Sequence, residues 1–175
     1  MIARLAAKDL ATALRSGILA LAGLGIAGLA VELVFLRHWG SALETIVWPA
    51  MVLLAIGWLS VIRARGPGAI RAARIIASIV LVLAAFGVAV HADANFEAGP
   101  LDRDYAATWA TLSFVQQWFL AITGGVGPAP TLAPGALAEV SLALLLGTVA
   151  HPALAAAAVR QDSSLGSSPI ADRSS

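Results

Sequence analysis

The sequence predicts an all-α integral membrane protein, a four-helix bundle with an extra interfacial amphipathic helix in a long outer loop. Hydrophobic residues make up 59% of the 175 residues, charged residues make up 12%, and the mean hydropathy is +0.87. Soluble domains carry about 25% charged residues. Four long apolar runs are separated by polar or turn-rich segments. This composition and this spacing together indicate a chain that crosses a membrane several times.

Several classes of protein are excluded by what the sequence lacks. The chain has no cysteine, so it can form no disulfide, no thiolate metal site and no cysteine nucleophile. We find no H-E-x-x-H motif and no serine–histidine–acid pattern on one helix face, so we do not expect an enzyme. It also has no extended basic soluble surface, so nucleic-acid binding is not expected.

The first apolar run predicts the first span. Residues 1–16 carry three cations and predict a basic cytoplasmic lead-in at the membrane surface. Residues 17–36 are apolar except for Glu32. At 1.5 Å per residue, a run of this length crosses a hydrocarbon core of roughly 30 Å. A signal peptide is the alternative, but the apolar run continues past the length of its hydrophobic region, so we expect an uncleaved helix.

Glycines in this first run match G-x-G-x-x-G between Gly23 and Gly28. A dinucleotide-binding fingerprint needs a preceding strand and a βαβ unit, and the sequence predicts neither. The small residues instead predict a seam for a neighbouring helix, formed by Gly23 and Ala27 together with Ala20 and Ala30.

A capping box and a basic loop bound the second span. Ser41 and Glu44 form an S-x-x-E box that opens a helix, and the span is predicted over residues 46–62. A Gly-Pro-Gly turn then reverses the chain. Four arginines surround the turn, which is typical of a cytoplasmic loop and makes them candidates for binding acidic lipid headgroups: Arg63, Arg65, Arg71 and Arg74.

The second half of the chain is predicted to hold two more spans. These cover residues 75–90 and 136–159, with an outer loop over 91–135 and a disordered cytoplasmic tail over 161–175. Residues 105–123 are long enough to span, but two adjacent glutamines are unfavourable in the middle of a bilayer. We therefore favour an interfacial or re-entrant helix over a fifth span. Pro152 is expected to kink the last span or end its regular part early.

The charges predict the orientation. With four spans, only Arg37 and Arg103 of the 11 lysines and arginines fall on the outer side. The positive-inside rule then places both termini in the cytoplasm, in a bacterial inner membrane. With a fifth span, the lysines and arginines would be divided less unevenly between the two sides of the membrane.

Polar residues at the outer ends of the spans form the candidate site. His38 follows the first span and His91 follows the third, while Glu32 and Glu139 are predicted near the outer ends of the first and fourth. Imidazole and carboxylate ligands suit Zn²⁺, Cu²⁺ or Fe, so these four residues predict a metal or cofactor site. Alternatively, the histidines are polar helix caps. A third interpretation is a proton relay through Glu32 and Glu139.

Three short patches resemble a known group of proteins. They are Glu32-Leu33 with His38-Trp39, the segment Leu132-Ala133-Pro134-Gly135-Ala136, and His151-Pro152. Together they resemble small bacterial four-span membrane proteins of unassigned function. The resemblance implies the four-span topology but no chemistry.

The function we expect is that of a structural or accessory subunit, or an assembly partner, of a larger membrane complex. The expected partners are the lipid bilayer and either another membrane protein or a second copy of the chain. One alternative is a metal- or cofactor-binding protein that uses Glu32, His38 and His91 at the outer face. A further alternative is a small proton-coupled transporter module.

Overall fold

A computed structural model describes residues 2–149 and 151–157, and this part of the chain is helical, with no β-strand. Residues 152–157 are helical after a break at His151. The predicted tail over 161–175 lies outside the described residues. Short 3₁₀ turns occur at Gly99–Leu101 and Trp109–Thr111. The α-helices are α1 (Ile2–Phe35), α2 (Ala42–Thr45), α3 (Val47–Ile62), α4 (Pro67–Ala98), α5 (Phe114–Thr123) and α6 (Leu132–Gly147).

Four of these helices form an antiparallel bundle. α1 packs on α3 and α6, and α4 also packs on α3 and α6, so α1 and α4 occupy opposite corners. Successive helices run in opposite directions. One end of the bundle carries His38 and His91, and we call it the histidine end. The other end carries the connection between α3 and α4 with its arginines, and we call it the arginine end.

Small side chains fill much of the bundle interior. The buried core contains Ala50, Ala73, Ala77 and Ala84 as well as larger residues such as Leu54. Gly57 faces Leu144 of α6, where an added Cβ would lie 3.2 Å from the Leu144 side chain. The helices can therefore approach closely, as they do in bundles where small residues line the contacts.

Large apolar side chains face outward around the middle of the bundle. Leu24 is 69% exposed, Val82 is 70% exposed and Phe86 is 64% exposed. Asp9–Phe35 and Pro67–Leu101 are both long and apolar enough to cross a membrane, and only 22% of the most apolar window of each is buried. α3 and α6 are shorter apolar helices. The core helix of a water-soluble protein would be mostly buried, so these two exposed apolar helices are compatible with a membrane protein.

A second, smaller core lies beyond the histidine end. α4 continues past the bundle, and residues 99–131 fold against its last two turns to form what we call the aromatic cap. Phe96 stacks on Trp118 with ring centroids 4.8 Å apart and meets the Trp109 ring edge-on at 5.6 Å. Asn95 is fully buried beneath the cap, where its amide donates to the Ala121 and Ala129 carbonyls and accepts from the Ala129 N–H.

The structure moves the ends of three predicted spans. α1 is one continuous helix over Ile2–Phe35, so the described part of the predicted lead-in belongs to the same helix as the first span. α4 starts at Pro67, at the first helical position where proline is favoured, and continues to Ala98. Residues 91–98 are therefore helix and not part of the loop. α6 starts at Leu132 and ends at Gly147, whereas the predicted span covered residues 136–159. Pro152 does not kink a span, because it opens the separate helical stretch that follows His151.

The predicted amphipathic helix is shorter than expected. Residues 105–113 form turns, and α5 contains only 10 residues. At 1.5 Å per residue it is about 15 Å long, about half of what a span requires. The glutamines serve local structure: Gln116 completes a capping box with Ser113, and the Gln117 amide donates to the Trp109 carbonyl at 2.7 Å. This stretch is therefore not a fifth span.

The predicted seam on α1 is partly wrong. Gly23 lies against the Trp58 ring, and Ala30 packs on the core. Ala20 and Ala27 are exposed. The contact face of α1 instead follows Leu19, Ala22, Leu29 and Leu33, which are buried.

Candidate ligand site at the histidine end

A cavity of about 250 Å³ opens at the histidine end between α3 and α4. Buried side chains from three helices, Leu33, Ala84 and Leu137, form its inner surface. Exposed Leu83 and Phe86 belong to its lining as well, so the cavity opens sideways onto the apolar surface of the bundle. Three polar side chains line the same cavity: His38, Glu44 and His91.

His91 is held by the chain segment that leads into α6. Its Nδ1 lies 2.9 Å from the Pro130 carbonyl oxygen. A carbonyl only accepts hydrogen bonds, so Nδ1 must carry the proton. The other ring nitrogen, Nε2, is then a hydrogen-bond acceptor in the neutral imidazole. One nitrogen thus fixes the ring, and the other is left for a ligand.

Glu44 is held by the turn between α1 and α3. Half of the predicted capping box forms, because the Ser41 hydroxyl accepts the Glu44 N–H at 3.2 Å but the Glu44 side chain bonds to the residue before Ser41. The Glu44 carboxylate accepts the Gly40 N–H through Oε2 at 2.7 Å. This bond leaves Oε1 available to a hydrogen-bond donor.

His38 is placed by its backbone. Arg37, just before it, has a left-handed backbone with φ of 50°, which turns the chain sharply after α1. The His38 carbonyl accepts the Trp48 indole N–H at 2.9 Å, and the Trp39 and Trp48 rings lie 6.3 Å apart at the same end. The His38 imidazole makes no hydrogen bond to any residue that the structure describes, so both nitrogens are available.

The arrangement suits an amphiphile better than a metal ion. The apolar lining is extensive, and the free polar positions at one end include a carboxylate oxygen and an imidazole nitrogen that accept hydrogen bonds. A volume of about 250 Å³ is slightly below the ~300–1,000 Å³ of typical ligand sites. It can hold a small head group and the first part of a chain, while the rest of that chain continues onto the exposed apolar surface.

The structure brings together only part of the predicted metal site. His38 and His91 line one cavity, but Glu32 is exposed on α1 and Glu139 is exposed on α6, in a different groove. Among the described residues, no group of three or more His, Cys, Asp or Glu is placed to hold a metal ion. The placement of Glu139 near the outer end of a span is wrong, because α6 starts four residues before the predicted span and leaves Glu139 near its middle.

The arginine end uses one of its four arginines for structure. Arg74 donates to the Thr148 hydroxyl and carbonyl, both at 2.9 Å, and so ties the start of α4 to the end of α6. A cation at a helix C-terminus also interacts favourably with the helix dipole. Arg63, Arg65 and Arg71 are exposed and remain candidates for acidic lipid headgroups.

Two important residues of this end were missed as site residues. Glu44 was interpreted only as a helix cap, and nothing in its sequence context indicates that α4 will pack opposite it. Asn95 was treated as part of an acidic loop, although it is the buried centre of the aromatic cap. An asparagine and an aromatic residue near the end of an alanine-rich helix are too common a pattern to indicate this role.

Comparisons with protein families, curated proteins and solved structures found no match to this chain. The resemblance based on the three short patches stays a prediction.

Proposed function

We propose that this chain is a four-span membrane protein that binds an amphiphile at its outer face, in the cavity lined by His38, Glu44 and His91. The membrane placement is supported by the outward-facing belt of large apolar side chains. Water would disfavour that belt by roughly 25 cal/mol per Å² of apolar surface, whereas lipid would not. Membrane helices also pack through small residues because lipid is as apolar as the side chains themselves.

The proposed orientation places the arginine end in the cytoplasm. Arg63, Arg65, Arg71 and Arg74 lie there, while Glu97, Asp102 and Asp104 lie at or beyond the histidine end. This division follows the positive-inside rule. The cavity then faces the outer leaflet, in the bacterial inner membrane that we expected from the sequence.

One observation carries the ligand proposal: an apolar cavity that opens sideways and has three hydrogen-bonding side chains at one end. A ligand that arrives through the lipid needs no aqueous entrance. Its chain would lie along Leu83 and Phe86, and its head group would reach Glu44 and His91. Because Oε1 of Glu44 and Nε2 of neutral His91 accept hydrogen bonds, the head group should donate them. We therefore propose a single-chain amphiphile with a hydroxyl head.

The test is a binding measurement with two matched probes. Dodecanol has a hydroxyl head, and its methyl ether has the same chain but cannot donate a hydrogen bond. We expect dodecanol to bind the purified protein in micelles more tightly than the ether does. Hydrogen bonds to charged groups contribute about 1.5–3 kcal/mol. The substitution Glu44→Gln should therefore weaken dodecanol binding by roughly 10- to 150-fold.

A second variant separates ligand binding from folding. Val47 lines the cavity, whereas Val52 is exposed on the same helix. Val47→Phe should fill the cavity and abolish binding, and Val52→Phe should leave it unchanged. Equal binding of the alcohol and the ether, or equal binding by the two phenylalanine variants, would reject the proposal.

The other predicted functions are supported by fewer features of the structure. The metal hypothesis retains two histidines in one cavity, and elemental analysis of the purified protein would test it. The transporter hypothesis needs a polar path past Glu32, and Glu32 is on the exposed side of α1. The accessory-subunit hypothesis depends on a partner surface, for which the groove between α1 and α6 is the strongest candidate.

A further inference from the structure

A second concave surface lies on the opposite side of the bundle from the cavity between α3 and α4. It is a groove of about 360 Å³ between α1 and α6. Ile18, Leu21, Gly25 and Leu29 contribute from α1, and Ala136, Ala143 and Leu146 are among the residues from α6. Its lining is apolar with a single exception, Glu139.

Glu139 lies about halfway between the two ends of the bundle, measured along the helix axes. Its neighbour Val140 packs against Gly25, where an added Cβ would come within 2.5 Å of the Val140 side chain. Gly25 is 10 residues before Phe35, the last residue of α1, which corresponds to about 15 Å along the helix. With the membrane placement proposed above, on which this step rests, Glu139 is therefore well inside the hydrocarbon.

The Glu139 carboxylate has no partner in the part of the chain that the structure describes. It is exposed on α6 and makes no hydrogen bond or ion pair to a described residue. An ionisable side chain in the hydrocarbon is costly unless a partner satisfies it. Glu32 extends the same pattern, because it lies on α1 seven residues after Gly25, on the same helix face, and is also exposed.

We propose that the groove between α1 and α6 is the docking site for a transmembrane helix of another protein that carries a basic side chain at mid-membrane depth. The groove has a shape that fits a helix, and the Glu139 carboxylate favours a helix with a basic side chain. A second copy of this chain is a poorer match. The described arginines and histidines lie toward the arginine end or the histidine end of the bundle, and Arg15 on α1 is ten residues, or about 15 Å, before Gly25, so none is at the depth of Glu139.

The test uses a designed helix in phosphatidylcholine vesicles. The chain has no cysteine, so Arg65→Cys gives one site for a fluorescent donor at the exposed arginine loop. The partner probe is a 22-residue leucine-rich transmembrane peptide with one central arginine and an acceptor dye, a length that suits a bilayer of about 30 Å. The matched control peptide has leucine at the centre. Energy transfer measures association.

We expect the arginine peptide to associate at least about ten times more tightly than the leucine peptide, a difference of roughly 1.4 kcal/mol. The variant Glu139→Gln should remove the difference. Adding Val82→Glu to that variant places a carboxyl on the exposed face of α4 instead. This double variant should not restore association, because the peptide must fit the groove as well as meet a charge.

Several results would overturn the proposal. The first is equal association of the arginine peptide and the leucine peptide. The second is tighter association of the arginine peptide in Glu139→Gln, and the third is a return of that preference in the double variant. Energy transfer between two copies of the chain that Glu139→Gln abolishes would assign the groove to a homodimer and reject the other partner. If alkaline carbonate removes the protein from the vesicles, the membrane placement itself has failed, which distinguishes that failure from a failure of the docking site.

Discussion

Glu44 and His91 each use one polar atom to fix their own position and leave another for a ligand. Glu44 binds Gly40 through Oε2, and His91 donates from Nδ1 to the Pro130 carbonyl. A group that is held in place loses less conformational freedom when a ligand binds. The sequence predicted that both histidines lie at one end of the bundle, because each follows an apolar run. It could not predict that Glu44 joins them, since that depends on how α3 packs on α4.

His151 is held in its neutral form at the other end of the molecule. It lies beyond the end of α6, and its Nδ1 accepts the Ala153 N–H at 3.2 Å, so that it caps the helical stretch over 152–157. Burial, and secondarily the positive charge of Arg15, lower the pKa of His151 from its ordinary value of 6.5. Protonation of Nδ1 would remove the acceptor that the cap uses.

This cap should make the stability of the protein depend on pH. Because the folded protein holds the neutral ring, the unfolded chain takes up a proton first as the pH falls. The stability that the neutral ring contributes is thus present above about pH 7 and declines as the pH falls through and below about 6.5. Thermal unfolding in micelles from about pH 7.5 to 5.5 would measure this decline.

The control for this effect is His151→Asn, which retains a capping side chain but does not titrate. We expect its unfolding temperature to change less with pH than that of the unmodified protein over the same range. Identical pH profiles for the two proteins would show that His151 does not titrate differently in the folded and unfolded states.

Among the helix contacts, α1 is held against α3 by the aromatic side chain of Trp58. The Trp58 indole N–H donates to the Leu19 carbonyl at 2.6 Å, and the ring lies over Gly23. An added Cβ at Gly23 would come within 2.5 Å of the Trp58 ring. Gly28, five residues later on α1, has no atom within 4 Å of the same added Cβ.

These two glycines should respond oppositely to alanine. Gly23→Ala should destabilise the bundle by about 1–3 kcal/mol, because the ring must move and its hydrogen bond to Leu19 would be strained. Gly28→Ala should be neutral or should stabilise the protein by up to about 1 kcal/mol, because alanine favours helix more than glycine does. Unfolding in mixed micelles would measure both values. Equal effects of the two substitutions would contradict the packing of Trp58 described here.

The middle of each bundle helix could be predicted from the apolar runs in the sequence, whereas several helix ends could not. α3 matches its predicted span closely, and the Gly-Pro-Gly turn marks its end, whereas Ser41 and Glu44 cap the short α2 that precedes it. α4 extends to Ala98 because the aromatic cap buries Asn95 and partly covers Phe96, and the hydrogen bond from Ala129 to Asn95 comes from 34 residues further along the chain. α6 ends at Gly147, in agreement with the expectation that Pro152 ends the regular part of this helix early.

In the described part of the molecule, many large apolar side chains face outward, while the core combines large residues such as Leu54 and Ile70 with many alanines. This arrangement appears in the exposed Leu24, Val82 and Phe86 and in the buried alanines of α4. The all-helical class could be predicted because composition and the length of the apolar runs are properties of whole helices. The cavity and the groove could not, because each is lined by residues far apart in the sequence.

The helix lengths are consistent with a single apolar layer in which all four bundle helices lie side by side. α3 and α6 each contain 16 residues, or about 24 Å. α1 contains 34 residues and α4 contains 32, or about 50 Å each, so both extend beyond the shorter helices. α1 extends past the bundle at the arginine end, and α4 extends at the histidine end under the aromatic cap. Both the ligand proposal and the docking proposal depend on how this layer sits in the bilayer.

The most direct test of that placement is labelling of single cysteines with a membrane-impermeant maleimide in cells whose inner membrane is intact and accessible. The variants are Glu97→Cys at the histidine end, Arg65→Cys at the arginine end and Val82→Cys in the apolar belt. We expect labelling of Glu97→Cys in intact cells, labelling of Arg65→Cys only after the membrane is permeabilised, and little labelling of Val82→Cys in either case. Labelling of Arg65→Cys and Glu97→Cys from the same side, or ready labelling of Val82→Cys by the aqueous reagent, would contradict a membrane-spanning bundle with its histidine end outside.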